Sequence, residues 1–280
     1  MITGMPRIAI AATDFDALVD TFRNRLGMPV VDLSDQTVRG LGARIAMCVP
    51  EGGSNIELMS PAVPDAPLSR SLQRFLDRRG AGPFALMLEA PDPDAEAEVL
   101  HSRGLNVLPR MAGAGGRDVH PNSTHGVLIR VYPVGSFRRP PSMVEARSLL
   151  SGIVRVIIAV KDLSAAATTY GTRFGLPSEP VVEDPARGVA SVTVRPPTGG
   201  TIELVTVRDP GRPFAAAVGA HLDANPEGIY ALVLQARDPA GLIAGLRTSG
   251  LDARLAADAV EVVEIGRGSM FGALLRIERG

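Results

Sequence analysis

Tryptophan is absent from this 280-residue chain, tyrosine occurs three times, and aromatic residues make up 4% of the sequence. Large planar ligands are commonly held between stacked rings, and a chain this poor in rings has little with which to build such a wall. Cysteine is nearly absent as well. The single Cys48 excludes an internal disulfide framework and a cysteine cage for zinc, and its apolar setting, ARIAMCVP, predicts a buried structural thiol rather than a nucleophile. Neither sign of charge dominates: 29 Lys and Arg stand against 30 Asp and Glu, for a net charge of -1. Such a balance provides no broad field for nucleic acid, an anionic membrane or a polyanionic partner. Long apolar runs are missing, none approaching the ~20 residues that a membrane span requires. The opening MITGMPRIAI also lacks the basic, apolar and small-residue order of a secretion signal. These absences lead us to expect a cytoplasmic protein that engages neither nucleic acid nor membrane.

What is present is a repeat. RIAIAATDFDALVDTFRNRLGMP, from Arg7 to Pro29, reads without a gap onto RVIIAVKDLSAAATTYGTRFGLP, from Arg155 to Pro177. Three further pairs follow in the same order: NIELMS with TIELVT, GPFALMLEAPDP with GIYALVLQARDP, and GVLIRVY with GALLRIE. Between the halves, FRRPPSMVEARSLL carries Arg138, Arg139, Pro140 and Pro141, a stiff stretch followed by a short possible helix. The expected organisation is a first domain at 1–141, a linker at 142–151 and a second domain at 152–280.

Inside each half the pattern is finer. An alternating strand from Arg7 to Ala11 precedes a helix that places Phe15, Leu18, Val19, Phe22 and Leu26 on one face, and Gly27 ends it. Alternating stretches follow at Ala43 to Val49 and Asn55 to Met59. A strand from Phe84 to Ala90 and a helix from Ala95 to Arg103, closed by Gly104, then begin the pattern again. Each half is therefore expected to be two βαβββ modules forming a cupped mixed sheet with helices outside, an α+β architecture. On that alternation Arg7 shares its face with Ala9 and Ala11, and Arg130 shares its face with Leu128 and Tyr132, so both guanidiniums are expected inside the first cup. By the same parity Tyr230, beside Ala231, is expected to point away from the second cup, and His221 is expected on the surface of a helix near Ala215 to Leu222.

These segments resemble the vicinal oxygen chelate superfamily, the glyoxalase, bleomycin-resistance and dioxygenase superfamily, over nearly the whole chain. The first half is most similar to the methylmalonyl-CoA epimerases through IAIAATDFDALVDTFRNRLGM, NIELMSP, PFALMLEA and HPNSTHGVLIR. The resemblance implies two tandem glyoxalase-like domains, each descended from a cup that holds one divalent ion through four ligands. Carried over position by position, those ligands fall on Arg7, Glu57, Ala85 and Arg130 in the first half, and on Arg155, Glu203, Ala231 and Arg276 in the second. Divalent ions need lone-pair donors; alanine supplies none and a guanidinium is permanently cationic. No metal cofactor is therefore expected.

Two readings of each Arg, Glu, Arg set stand side by side. In the first, Glu57 bridges Arg7 and Arg130 as a buried cluster that replaces the metal structurally, and Arg155, Glu203 and Arg276 do the same in the second half. In the second, one positive charge per cup is left unneutralised. Arg7, Arg130, Arg155 and Arg276, with Tyr132 and Glu203, then bind an anionic substrate while Glu57 moves a proton. His120 and His125 are further candidates for acid and base, since imidazole titrates near neutral pH; the alternative for both is a solvent-facing loop position. They lie in GAGGRDVHPNSTHG, which reads as a longer loop than GRGSMFG in the second half and as a lid over the first cup, and so makes the first cup the better active-site candidate. Its glycines do not form a phosphate loop, because no GK[ST] follows.

The function expected is a metal-independent isomerase or lyase acting on a small carboxylate or acyl thioester, with a coenzyme A thioester as one possible substrate. A non-catalytic small-molecule binder of the sequestering kind and a structural or regulatory module are the alternatives. The partner is expected to be a small anionic molecule, and the assembly a monomer with an internal pseudo-dimer or a homodimer.

Overall fold

The structure is a computed structural model and describes residues 1–37, 41–143, 147–224 and 227–280. The first half runs β1 (Gly4–Ala11), α1 (Phe15–Asp20), β2 (Val30–Asp32), α2 (Ser34–Thr37), β3 (Ala43–Cys48), β4 (Asn55–Pro61), α3 (Pro67–Arg79), β5 (Gly82–Ala90), α4 (Pro93–Ser102), β6 (Arg117–Val119) and β7 (Leu128–Pro133). The second runs β8 (Arg155–Ala159), α5 (Leu163–Ala167), β9 (Val182–Asp184), β10 (Val189–Val194), β11 (Thr201–Val207), α6 (Pro213–Ala224), β12 (Gly228–Ala236), α7 (Pro239–Thr248), β13 (Ala253–Ala256), β14 (Ala259–Ile265) and β15 (Leu275–Arg279). Of the expected linker, residues 144–146 and the helix anticipated there lie outside the described residues; Pro141–Met143 form a 3₁₀ turn.

Each half builds one mixed sheet. The first has 7 strands in the order β2-β3-β4-β1-β5-β7-β6, and the second has 8 in the order β13-β14-β15-β12-β8-β11-β10-β9. Corresponding strands occupy corresponding places. The eighth strand fails in the first half because the segment equivalent to β13 shrinks to a single bridge between Val107 and Val119. The stretch from Leu105 to His120 is as long as that from Leu251 to Gly266, where β13 and β14 form a hairpin. The impression of a longer loop in the first half is thus corrected: the same length of chain is present, and the glycines of GAGG weaken its strand propensity. That segment is packed at the cup's rim, with Met111 against the apolar cluster inside the cup and Gly116 lying where a Cβ would sit 2.9 Å from the Val131 carbonyl oxygen.

Helix α1 begins at Asp14, whose side chain accepts the Ala17 N–H at 2.9 Å. It runs into a π-helical turn, Thr21–Arg25, and stops at Gly27, whose φ of 66° suits glycine. The second half repeats the device with Asp162, a π-helical turn at Thr168–Arg173 and Gly175.

Strand alternation then sorts the core. Ile8, Ile10, Leu86 and Leu88 on the convex face join Phe15, Leu18, Phe22 and Leu100 of the outer helices. Their counterparts Val156, Ile158, Leu232 and Leu234 belong to the same continuous core, so the halves share one interior. The concave faces are not left open, as a cup with all its helices outside would be. Each is covered by a helix of its own half: Leu68, Leu72 and Leu76 of α3 lie on Ala9, Ala11, Ala85 and Met87, and Phe214, Ala215 and Val218 of α6 lie on Ile157, Ala159, Ala231 and Val233. Small alanines on β1, β5, β8 and β12 leave the depth these helices need. Burying each such leucine contributes about 1.5 to 3 kcal/mol.

The expectation that Tyr230 faces away from the cup is corrected by the structure. A register shift between Ile229 and Ala231 inserts an extra residue opposite β8, so Tyr230 and Ala231 both belong to the concave cluster. Phe84 and Ala85 do the same in the first half, where the shift between Ala9 and Ile10 coincides with the step from Ala85 to Pro83. Tyr230 meets Phe214 edge to face at 5.7 Å, and His221 of α6 meets Tyr230 at 5.6 Å, so the expected surface position of His221 is corrected to a half-buried one.

The two halves touch through backbone. Gly126 has a φ of 78° and leaves no room for a Cβ, which would collide with the carbonyl oxygen of Glu227; Gly272, with φ of 79°, stands in the same relation to that of Ala81. These are symmetry-related contacts of one pseudo-dimer. No helix among the described residues is long and apolar enough to cross a membrane.

Candidate functional site

Register places the carried-over positions in two neighbouring rows on the concave face. Glu57, Ala9 and Ala85 lie in one, and Arg7, Met87, Arg130 and Asp118 in the next. In the first cup Arg7 Nε lies 2.9 Å from Glu57 Oε2 and 3.1 Å from Met87 Sδ. The guanidinium of Arg7 is centred 4.3 Å from the Tyr132 ring, a cation–π contact. Arg130 does not share Glu57. It is gripped by Asp118, which accepts from both Nε and Nη2, the latter at 2.6 Å, and its Nη1 points at the Tyr132 hydroxyl at 3.4 Å. Burial works against the charge on Arg130, yet the bonds to Asp118 and the neighbouring Tyr132 outweigh it and hold the guanidinium above its ordinary value.

The expectations of a Glu57 bridge and of one unneutralised charge in the first cup are therefore corrected: Arg7 with Glu57 and Arg130 with Asp118 form two closed pairs. Asp118 escaped sequence reasoning although it stands directly across the ladder from Arg130, in RDV, a position the loop reading concealed.

The second cup repeats the plan in more open form. Arg155 Nε is 3.0 Å from Glu203 Oε2, and Arg155 also reaches Glu278, where the first half has Tyr132. Arg187, also missed in the sequence, donates to Glu203 Oε1 at 2.6 Å and to Asp184 Oδ2 at 2.8 Å. Arg276 donates to Glu264 Oε1 at 2.7 Å and to Asp258 Oδ2 at 2.8 Å. The expectations that Glu203 bridges Arg155 and Arg276 and that one charge is left unneutralised are corrected in this cup too: Glu203 joins Arg155 to Arg187, and every one of the three arginines is paired. Phe214 of α6 lies under both guanidiniums, 5.0 Å from Arg187 and 5.2 Å from Arg276. Arg155 is 29% exposed, whereas its counterpart Arg7 is 6% exposed. That difference opens a cavity of about 240 Å³ bounded by Arg155, Arg187, Glu203, Asp258, Arg276 and Glu278.

The histidines fall elsewhere. His120 accepts the Asn122 N–H through Nδ1 at 3.1 Å and caps a 3₁₀ turn, Pro121–Ser123. His125, in a left-handed conformation with φ of 54°, contacts Glu227 Oε2 at 3.0 Å across the halves, and its Nε2 lies 3.4 Å from the Thr169 hydroxyl. No contact among the described residues joins either histidine to Glu57. Arg139 donates to the Val49 carbonyl. Cys48 is fully buried against Met28, and burial pushes its thiol well above the ordinary range.

The donors at the carried-over positions do not fit a divalent ion. Each cup offers one carboxylate and two guanidiniums there, and among the described residues no group of three or more His, Cys, Asp or Glu could hold a metal.

The glyoxalase/bleomycin resistance protein/dioxygenase superfamily matches residues 7–120, and the glyoxalase-like domain family matches residues 156–277. The chain belongs to this superfamily, with one domain in each half. Among solved structures, a mutant 4-hydroxymandelate synthase from Streptomyces coelicolor is similar over 100% of this chain and 93% of its own, at 17% identity and a TM-score of 0.70, which speaks to the tandem fold alone. A variant methylmalonyl-CoA epimerase from Streptomyces coelicolor is 26% identical over 50% of this chain and 100% of its own, with a TM-score of 0.41. The methylmalonyl-CoA epimerase from Mycobacterium tuberculosis is 23% identical over 48% and 91%, with a TM-score of 0.40. No curated protein matches the chain.

Proposed function

We propose that this chain is a metal-independent enzyme of the isomerase or lyase type, acting on a small carboxylate or acyl thioester, and that its working site is the second cup. The observation that carries this reading is the cavity of about 240 Å³ into which Arg155, Arg187, Arg276 and Glu203 converge. Guanidiniums fixed by their own carboxylates are oriented in advance to stabilise the negative charge that develops on an enolate oxygen. Glu203 is the carboxylate within that set and takes the proton from the carbon next to the carbonyl; the enolate then either takes a proton on its other face from a second acid lining the cavity, Asp258 or Glu278, or expels a leaving group. An incoming carboxylate competes with Glu278 for Arg155, the most exposed of the inward-facing arginines.

In the first cup Arg7, Glu57, Arg130, Asp118 and Tyr132 close on one another beneath α3, which supports a scaffold role there. His120 and His125, engaged at the junction of the halves, support positioning of that junction.

The test is proton exchange in D₂O followed by ¹H NMR, with a panel of small 2-oxo acids, malonate-type acids and acyl thioesters. Exchange by the wild type, lost in Glu203→Gln and kept in Glu57→Gln, is the expected result. Loss in Glu57→Gln alone moves the site to the first cup, and no exchange with any of the panel overturns the catalytic reading. The engagement of Glu203 by both Arg155 and Arg187 favours one alternative, a non-catalytic small-molecule binder. It predicts ligand binding by the same cavity without exchange.

A further inference from the structure

A second concavity, of about 750 Å³, lies between the halves and shares no lining residue with the second-cup cavity. Its walls carry Arg74, Arg78 and Arg79 from α3 and Arg267 from the turn before β15, over an apolar floor that includes Phe84 and Leu128. Among the described residues, no Asp or Glu lines it.

Most arginines of this protein are paired with carboxylates, but none of these four has a carboxylate partner among the described residues. Arg267 is held in place by two backbone carbonyls, those of Tyr230 and Gly272, at 2.6 and 3.0 Å, which orient the charge without neutralising it. Arg74 and Arg78 stand one turn apart on α3, a like-charge spacing that opposes the favourable placement of Arg78 in the last turn. The fold does not require them: α6, which matches α3 residue for residue from Pro213, has Ala220 and Ala224 at the equivalent positions. Three guanidiniums from α3 and one from the turn before β15, with alanine at the α6 positions that match Arg74 and Arg78, describe a receptor for negative charge, and the apolar floor describes the rest of the ligand.

We propose that this cleft binds an amphipathic organophosphate, a small molecule with a phosphate head held by Arg74, Arg78, Arg79 and Arg267 and an apolar portion lying on Phe84 and Leu128. The proposal is independent of any catalysis in the second cup. Octyl phosphate is the probe, titrated by calorimetry into the full chain, with octanol and inorganic phosphate as separated halves of the ligand. Saturable binding of octyl phosphate, at least about tenfold tighter than either half, is expected. The Arg74→Ala/Arg78→Ala variant is expected to lose about tenfold or more in affinity, while Arg254→Ala, a change at an exposed arginine elsewhere, leaves it unchanged. Circular dichroism confirms that both variants fold, and Arg78→Lys, which keeps the charge on an exposed helical site, retains most of the affinity. Equal affinity for octanol, or an unchanged Kd in the double variant, overturns the proposal. Sedimentation with phosphatidylglycerol vesicles through the same arginines, without saturable octyl phosphate binding, overturns it in favour of a membrane headgroup.

Discussion

Asp118 and Arg130 face each other across the β6–β7 ladder and form a two-pronged ion pair. A cationic side chain 1% exposed is supportable only because that carboxylate is fixed beside it. The pair ties the edge strand β6 to its neighbour β7.

Breaking one side of such a pair leaves a buried charge without compensation. Asp118→Asn is expected to destabilise the protein by about 3 to 5 kcal/mol, as measured by urea unfolding. Replacing both partners, as Asp118→Leu with Arg130→Met, is expected to recover most of that loss. A double variant as unstable as the single one would show that the pair is not what makes Asp118 important.

The glycines that join the halves are the next point of sensitivity. Gly126→Ala and Gly272→Ala each drive a Cβ into the backbone of the opposite half, and both are expected to lower stability by about 2 kcal/mol or more. Gly27→Ala, where the φ is also positive but nothing lies within 4 Å, is expected to cost only about 1 kcal/mol. Thermal unfolding of the three variants separates the packing effect from the backbone effect.

Acid sensitivity should trace to His221. Burial first, and then the charges of Arg267 and Arg79, push this imidazole down to about 4 in the folded protein, from 6.5. Because the unfolded chain takes up a proton more readily, the stability contributed by neutral His221 is fully present above pH ~6.5 and is lost as pH falls toward about 4. His221→Phe is expected to flatten the fall of Tm with pH across that window. An unchanged slope would place the acid sensitivity on other groups.

Elemental analysis after incubation with manganese, cobalt, nickel and zinc and desalting is expected to find well below one equivalent of metal per chain, because guanidinium and methyl groups replace lone-pair donors in both cups. One tightly held equivalent per cup would mean that the carried-over ligand positions are wrong.

The amino-acid sequence by itself determined the tandem repeat, the α+β class and the inward direction of Arg7, Glu57 and Arg130, since these depend on local periodicity and on a self-match that needs no contacts. Cys48 was legible for the same reason, lying in an unbroken apolar run. Other features were decided only by tertiary structure. The partner of Arg130 depends on which residue of β6 meets β7, a long-range register that the glycines of GAGG disguised as loop. Tyr230 turned inward because a bulge breaks the two-residue alternation on which sequence parity relies. The amphipathic pattern of α3 and α6 could announce a helix but not its destination. Only the alanines meeting across β1, β5, β8 and β12 showed that those helices belong inside the cups. The arginine-lined cleft exists in neither half alone, because its walls come from α3 on one side and from the turn carrying Arg267 on the other, brought together when the two sheets share one core.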